Sequence, residues 1–565
     1  MRLPYLLAFS VLFSLPPALH AQADSVALKA LIQEFTSYRP YDSLNVWGMA
    51  GEEELEEQAA ELGGFADRLG ELTDLSAAQR IDAELLRFVL ADRIYRLDFG
   101  THRFPLNAEG GFLTDIVYRY GNRRVENEVE LERYTAELAA LPAYFRHQRA
   151  ALSRGLAEGK TNPRRVVTLV LELIERTLAV PPAASVFHRP VVHYAPGGDR
   201  VDSLVSAVVY PAYRELADFL EEEYLPQLPA APGVSSISGG REYYRHLIRY
   251  FTTDDEATPE AVFATGEREV ARIRAEMEGV MERVGFAGSF AEFLDFLRSD
   301  PRFYAFTPEA LLERAAWITK RIEGELPRYF DRLPRMPLTV TPVPAALAPN
   351  YTGGRYSPGS YAHRRAGAFW VNTYDLPSRP LYTLTALALH EGVPGHHTQM
   401  MLAAEGEGQS DFRKSLYLSA FGEGWALYAE YLGKEMGMYE TAYDDFGRLT
   451  YEMWRACRLV VDPGIHYFGW SRERAVAYMA EHTALSLREV NTEIDRYIGW
   501  PGQAVSYKMG ELKIRALRRE AEERLGDRFD LAAFHRLVLA NGAVTMEILE
   551  EVVRQWIAST SSDQD

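Results

Sequence analysis

The sequence predicts a mainly α-helical protein with one small β element just before residue 380. Three observations carry that expectation. Apolar residues recur at three- and four-residue spacing through most of the chain, with charges between them. Pro and Gly gather in a few breaks. Only two short stretches have strand character. In chain order, helical spacing covers residues 24–38, 52–72, 76–97, 126–158, 162–178 and 203–223. It resumes over 259–284, 290–298, 308–326, 413–431, 444–461, 472–483, 487–497, 503–525 and 532–541. The main breaks are 181–200, 225–240 and 333–367. The strand candidates are 337–343, which alternates apolar and polar residues, and 367–373, which is aromatic and β-branched. There is no internal repeat, so residues 24–565 read as one large helical domain.

Composition agrees with a large globular core. The chain has 565 residues, 47% of them hydrophobic and 25% charged, which excludes disordered and fibrous classes. Acidic residues number 80 against 61 basic, a formal net charge of −19. With no long Lys/Arg run, nucleic acid and anionic membrane surfaces are excluded as expected partners. Such acidity instead favours neutral or basic ligands. Residues 1–23 read as a signal peptide: Arg2, an apolar run over 3–15, then Ala21-Gln22-Ala23 as a small-x-small cleavage pattern. The run is too short for a membrane anchor, so a periplasmic or secreted protein is expected. The only cysteine, Cys457, lies in a helical stretch and reads as a packed residue, not a catalytic thiol.

The chemistry concentrates in His390-Glu391-Gly392-Val393-Pro394-Gly395-His396-His397. The apolar run 381–389 leads into it, so it sits at the end of a buried helix. The zinc-protease pattern H-E-x-x-H is close but not met, because Pro394 stands where the second His would be. Zinc requires ligand atoms at about 2.0–2.1 Å. On an unbroken helix His396 would point roughly 120° from His390, and His397 would lie about 10.5 Å further along the axis. Neither could then share a metal with His390. Pro394 cannot donate to the His390 carbonyl, however, and Gly395 permits unusual backbone angles. The helix is expected to open at 393–395 and swing one of the two histidines back. A helix end with capping histidines would account for the same residues without a metal.

A second segment points to the metal. Glu423 and Glu430, seven residues apart, share one face of an aromatic, apolar helix. Burying a carboxylate there is costly unless it is paired or binds a metal. Two His and one Glu from a later helix form an open catalytic zinc site. Glu423 is the expected ligand, and Glu430 would hold a ligating His from behind. An ion pair with Lys434 or an arginine elsewhere would serve Glu430 equally well.

These blocks, with FGEGWALYAEYLG, RLVVDPGIHYFGW, RYIGWPGQAVSYKMGELKIR and LPAYFRHQRAALSRGLAEGKTNPRRVV, resemble the bacterial domain-of-unknown-function 885 family over most of the chain. That family is grouped with helical zinc metallopeptidases of the thimet oligopeptidase and angiotensin-converting-enzyme type. The resemblance implies a two-lobed fold around a deep channel, with a catalytic core over about residues 330–530 and one Zn²⁺ per chain. It favours His396 over His397 as the second ligand and matches Glu423 and Glu430 to the family's Glu pair. The His–His spacing here is longer than in those relatives. Glu391 is implied as general base, and Tyr507, or else His466, as the donor to a developing oxyanion. Stretch 367–373 is implied to pair with an extended peptide, or else to be a core strand. Phe369, Trp370, Asn372, His397 and Gln503 are expected to line the substrate. The expected function is hydrolysis of short peptides. An inactive binding protein of this fold and a zinc amidohydrolase on a non-peptide substrate are the alternatives.

Overall fold

The computed structural model describes residues 17–39, 47–107, 111–121, 123–345, 348, 351–406 and 409–562. The apolar run 3–15 of the expected leader therefore lies outside the described residues, and 17–23 begin the first helix. The chain divides into two compact units, residues 1–98 and 99–565. In the first, helices Pro17–Ser37, Glu52–Gly70 and most of Ala77–Phe99 follow the expected stretches closely. There Phe35 meets Phe65 edge to face with ring centres 5.7 Å apart.

The second unit is helical throughout except for a three-stranded sheet. The expected helix over 126–158 is two, Glu128–Ala139 and Leu141–Glu158. Pro142 cannot donate into the preceding turn but suits the start of a new helix. Likewise 413–431 splits into Asp411–Ser415 and Ser419–Glu435. Helices Phe112–Gly121, Gly240–Thr252 and Met546–Ser562 fall outside the expected stretches. The core is built on helix Ala442–His466, in which every residue from Phe446 to His466 is buried. Cys457 is fully buried there, and burial pushes its thiol pKa up, as suits a packed residue.

Strands β1 (Leu338–Pro342), β2 (Gly354–Ser357) and β3 (Gly367–Val371) lie in the order β1-β3-β2. β1 runs parallel to β3, with Leu338 opposite Gly367, and β2 runs antiparallel, with Tyr356 opposite Phe369. β3 is thus the central strand, and its main-chain groups are spent on both neighbours. The expectation that 367–373 pairs with a peptide is not met, because an added strand needs a free edge. The free edges belong to β1 and β2. Among the described residues no helix is long and apolar enough to cross a membrane.

Candidate metal centre

Helix Leu384–Glu391 stops where the sequence loses a donor, and helix His396–Ala404 restarts four residues later. Between them the Gly395 N–H donates to the Leu389 carbonyl at 3.0 Å, and the His397 N–H to the Gly392 carbonyl at 3.1 Å. A Cβ at residue 395 would lie 2.0 Å from the His390 carbonyl oxygen, so only glycine allows this close return of the chain. Trp425, fully buried on helix Ser419–Glu435, donates its Nε1–H to the Pro394 carbonyl at 2.8 Å. The helix that carries Glu423 therefore also holds the turn that aims His396.

That turn brings His390, His396 and Glu423 together, with one candidate ligand atom from each within 4.8 Å of the others. Glu423 Oε2 lies 3.5 Å from His390 Nε2 and 3.3 Å from His396 Nε2. A tetrahedral zinc with bonds of about 2.0–2.1 Å sets its ligand atoms about 3.3 Å apart, so the donor set fits the ion. The rings of the two histidines are perpendicular, with centres 4.9 Å apart. Behind His390, Nδ1 donates to Glu430 Oε1 at 2.7 Å, leaving Nε2 toward the cluster. Glu430 also meets Arg455 at 3.2 Å, rather than Lys434. His396 Nδ1 is buried with no hydrogen-bond partner among the described residues.

The electrostatics ask for positive charge at this point. Burial opposes protonation of His390, yet Glu423 and Glu430 push it up to about 10. Burial would raise the Glu423 carboxyl, but His396 and His390 hold it well below the ordinary carboxylate range. One bound cation would answer that demand.

Glu391 is buried beside the cluster, and its charge is among those that raise His390. Its Oε2 accepts the Tyr356 N–H of edge strand β2 at 2.7 Å. Tyr507 is 8% exposed, with the Arg458 guanidinium 4.1 Å from its ring centre. Its hydroxyl has no hydrogen bond among the described residues, and it acts electrostatically on Tyr417 and Arg355. Tyr417 in turn donates to Glu423 Oε1 at 2.8 Å. Sequence reasoning missed Tyr417, which the expected helix 413–431 would place on another face from Glu423, whereas the chain breaks at 416–418 and lets the hydroxyl reach it. It also missed Trp425's hold on Pro394, because a buried Trp reads as core.

Several expected site residues are placed elsewhere. His397 is not in the cluster: its Nε2 donates to the Met336 carbonyl at 2.9 Å and its Nδ1 meets the Tyr356 hydroxyl at 3.0 Å. His466 is fully buried, with Nδ1 accepting from the Val234 N–H and Nε2 donating to the Tyr497 carbonyl, so it has no nitrogen left for an oxyanion. Burial lowers its pKa to about 4. Phe369 is fully buried in the core face of β3. Trp370 is half-buried and leans on Tyr351. Asn372 spends its side chain on the loop, donating to the carbonyls of Ala348, Tyr351 and Thr352 and accepting from the Tyr374 N–H. Gln503 is bound at both ends, to Ser419 and Arg496.

The whole fold has solved counterparts. "The crystal structure of the putative lipoprotein from Colwellia psychrerythraea" is 28% identical, with a TM-score of 0.83 over 96% of this chain and 98% of that one. "The structure of a putative lipoprotein of unknown function from Shewanella oneidensis" is 18% identical, with a TM-score of 0.72 over 96% of this chain and 100% of that one, a likeness of fold. No curated protein matches the chain. The family model described as "Bacterial protein of unknown function (DUF885)" matches residues 35–553, and the chain belongs to that family.

Proposed function

We propose that the protein is an exported zinc-dependent hydrolase that cleaves short peptides. One observation carries the reading: three ligand atoms within 4.8 Å of one another stand beside a buried carboxylate, Glu391, that is not one of them. A pure metal-binding protein has no use for that extra carboxylate. Zinc, when bound, would polarise a scissile carbonyl and acidify water. Glu391 takes up the water proton and passes it to the leaving amine, with the Tyr356 N–H fixing one of its oxygens. Tyr507, whose hydroxyl is uncommitted among the described residues, donates to the developing oxyanion. The outer edge of β2, beside Glu391, replaces β3 as the rail for an extended peptide, pairing through groups other than the Tyr356 N–H that holds Glu391. A kinship with thimet oligopeptidase and angiotensin-converting enzyme is part of the same proposal, and the leader-like 1–23 segment supports export. The neighbours described as lipoproteins also fit an exported chain.

A peptide library assayed with and without a chelator tests this. Wild-type protein is expected to cut peptides only with metal present. Glu391→Gln should keep the metal and lose about 10²–10⁴ in rate, the usual worth of a positioned general base. A wild-type protein that cuts nothing, or a Glu391→Gln variant that cuts normally, would sink the proposal.

A further inference from the structure

A cavity of about 300 Å³ lies among helix Ala442–His466, the loop of Arg379 and the start of helix Leu487–Gly499. None of His390, His396 and Glu423 lines it. One side is apolar, formed by Leu311, Leu384, Leu387 and Leu485. The polar residues on its wall divide into two kinds. Arg298 and Asn372 are spent: Arg298 donates to the Leu485 and Thr483 carbonyls, and Asn372 holds its own loop. Arg379 is only partly spent, its Nη1 donating to the adjacent Ser378 carbonyl at 3.4 Å, and the Thr450 and Glu489 side chains make no hydrogen bond among the described residues. Arg379 Nε and Thr450 Oγ1 are buried without a hydrogen-bond partner among the described residues. The Glu489 carboxylate has no hydrogen bond or ion pair among the described residues. Burial pushes that carboxyl up to about 7, and Arg379 is the charge that most offsets the shift. Yet no ion pair joins the two.

A folded chain seldom leaves several polar atoms of one cavity lining unmet. Here they are a cationic donor, an anionic acceptor and a hydroxyl, facing a leucine-lined space of the size that small-molecule sites occupy. Their sum is the complement of a compact zwitterion with an apolar side chain. We propose that this cavity binds a free α-amino acid of the leucine type, its carboxylate on Arg379, its ammonium on Glu489 and its side chain among the leucines. Thr450 adds a hydroxyl contact. The site is separate from the histidine cluster and stands whether or not the protein is a hydrolase.

Calorimetric titration of the full chain with L-leucine at pH 8 tests it, since the Glu489 carboxyl is ionised there. Saturable one-to-one binding is expected. L-leucinamide, which lacks the carboxylate, and N-acetyl-L-leucine, which lacks the ammonium, should each bind at least about tenfold more weakly, as expected for loss of a charged hydrogen bond. Glycine should bind weakly for want of a side chain. Arg379→Gln and Glu489→Gln, checked for folding by circular dichroism, should each weaken leucine by a similar factor. No saturable binding of leucine to the wild type would overturn the proposal. So would equal binding of the amide and acetyl derivatives, a result that needs no variant to fold.

Discussion

A methyl group at residue 395 would sit 2.0 Å from the His390 carbonyl oxygen and 2.4 Å from that of Leu389. Those carbonyls belong to the helix end that carries the first ligand, so the chain could accept the methyl only by moving His390 or His396. Gly395→Ala is therefore expected to cost about 1–3 kcal/mol, the range for overpacking a buried site. It should also weaken zinc binding at least about tenfold. Thermal unfolding with a zinc titration measures both, and an unchanged variant would contradict the role given to this turn. The break itself was legible: Pro394 removes a donor and Gly395 frees the backbone, which together announce an opening. Which histidine returns was not. That depends on the backbone angles of Gly392 and Gly395, ψ −120° and −129°, which no residue pattern encodes.

Helix Ala442–His466 shows what burial does to the groups on one element. Its Asp462 accepts from the Tyr244 hydroxyl at 2.5 Å and from the Gly502 N–H at 3.0 Å through the same oxygen, while the other oxygen has no partner among the described residues. Burial pushes this carboxyl up to about 7 from an ordinary 3.8. A raised carboxyl lends its stability fully below the unfolded value, and that stability is lost as pH rises toward 7. Asp462→Asn cannot ionise, so its stability relative to wild type should rise from about pH 4 to about pH 7, by roughly 3 kcal/mol. Denaturant unfolding across that range measures it, and a constant difference would show that Asp462 titrates normally. Strand identity was partly legible on the same scale. The alternation of 337–343 and the β-branched run of 367–373 marked β1 and β3, but β2 is four residues inside a Gly- and Pro-rich break. Missing β2 turned a central strand into an apparent edge.

On the scale of the whole molecule, the helical class was legible because apolar periodicity is a local property repeated many times. Packing partners were not, since His466 and Asn372 look functional until the ring nitrogens of the one are seen occupied by backbone groups far away in sequence and the amide of the other by its own loop. Burying so many charged groups also follows from the tertiary fold alone. Lys508, fully buried, is held by Glu452 and Glu511, each at 2.9 Å. The same assembly brings a His pair and a Glu from separate helices to one point, and on that point the functional reading depends. Zinc content of the purified full chain, beside His390→Ala, His396→Ala, Glu423→Ala and His397→Ala, tests it most directly. About one equivalent is expected in the wild type and in His397→Ala, with loss from the other three. Full retention in those three, or loss from His397→Ala alone, would contradict the assignment.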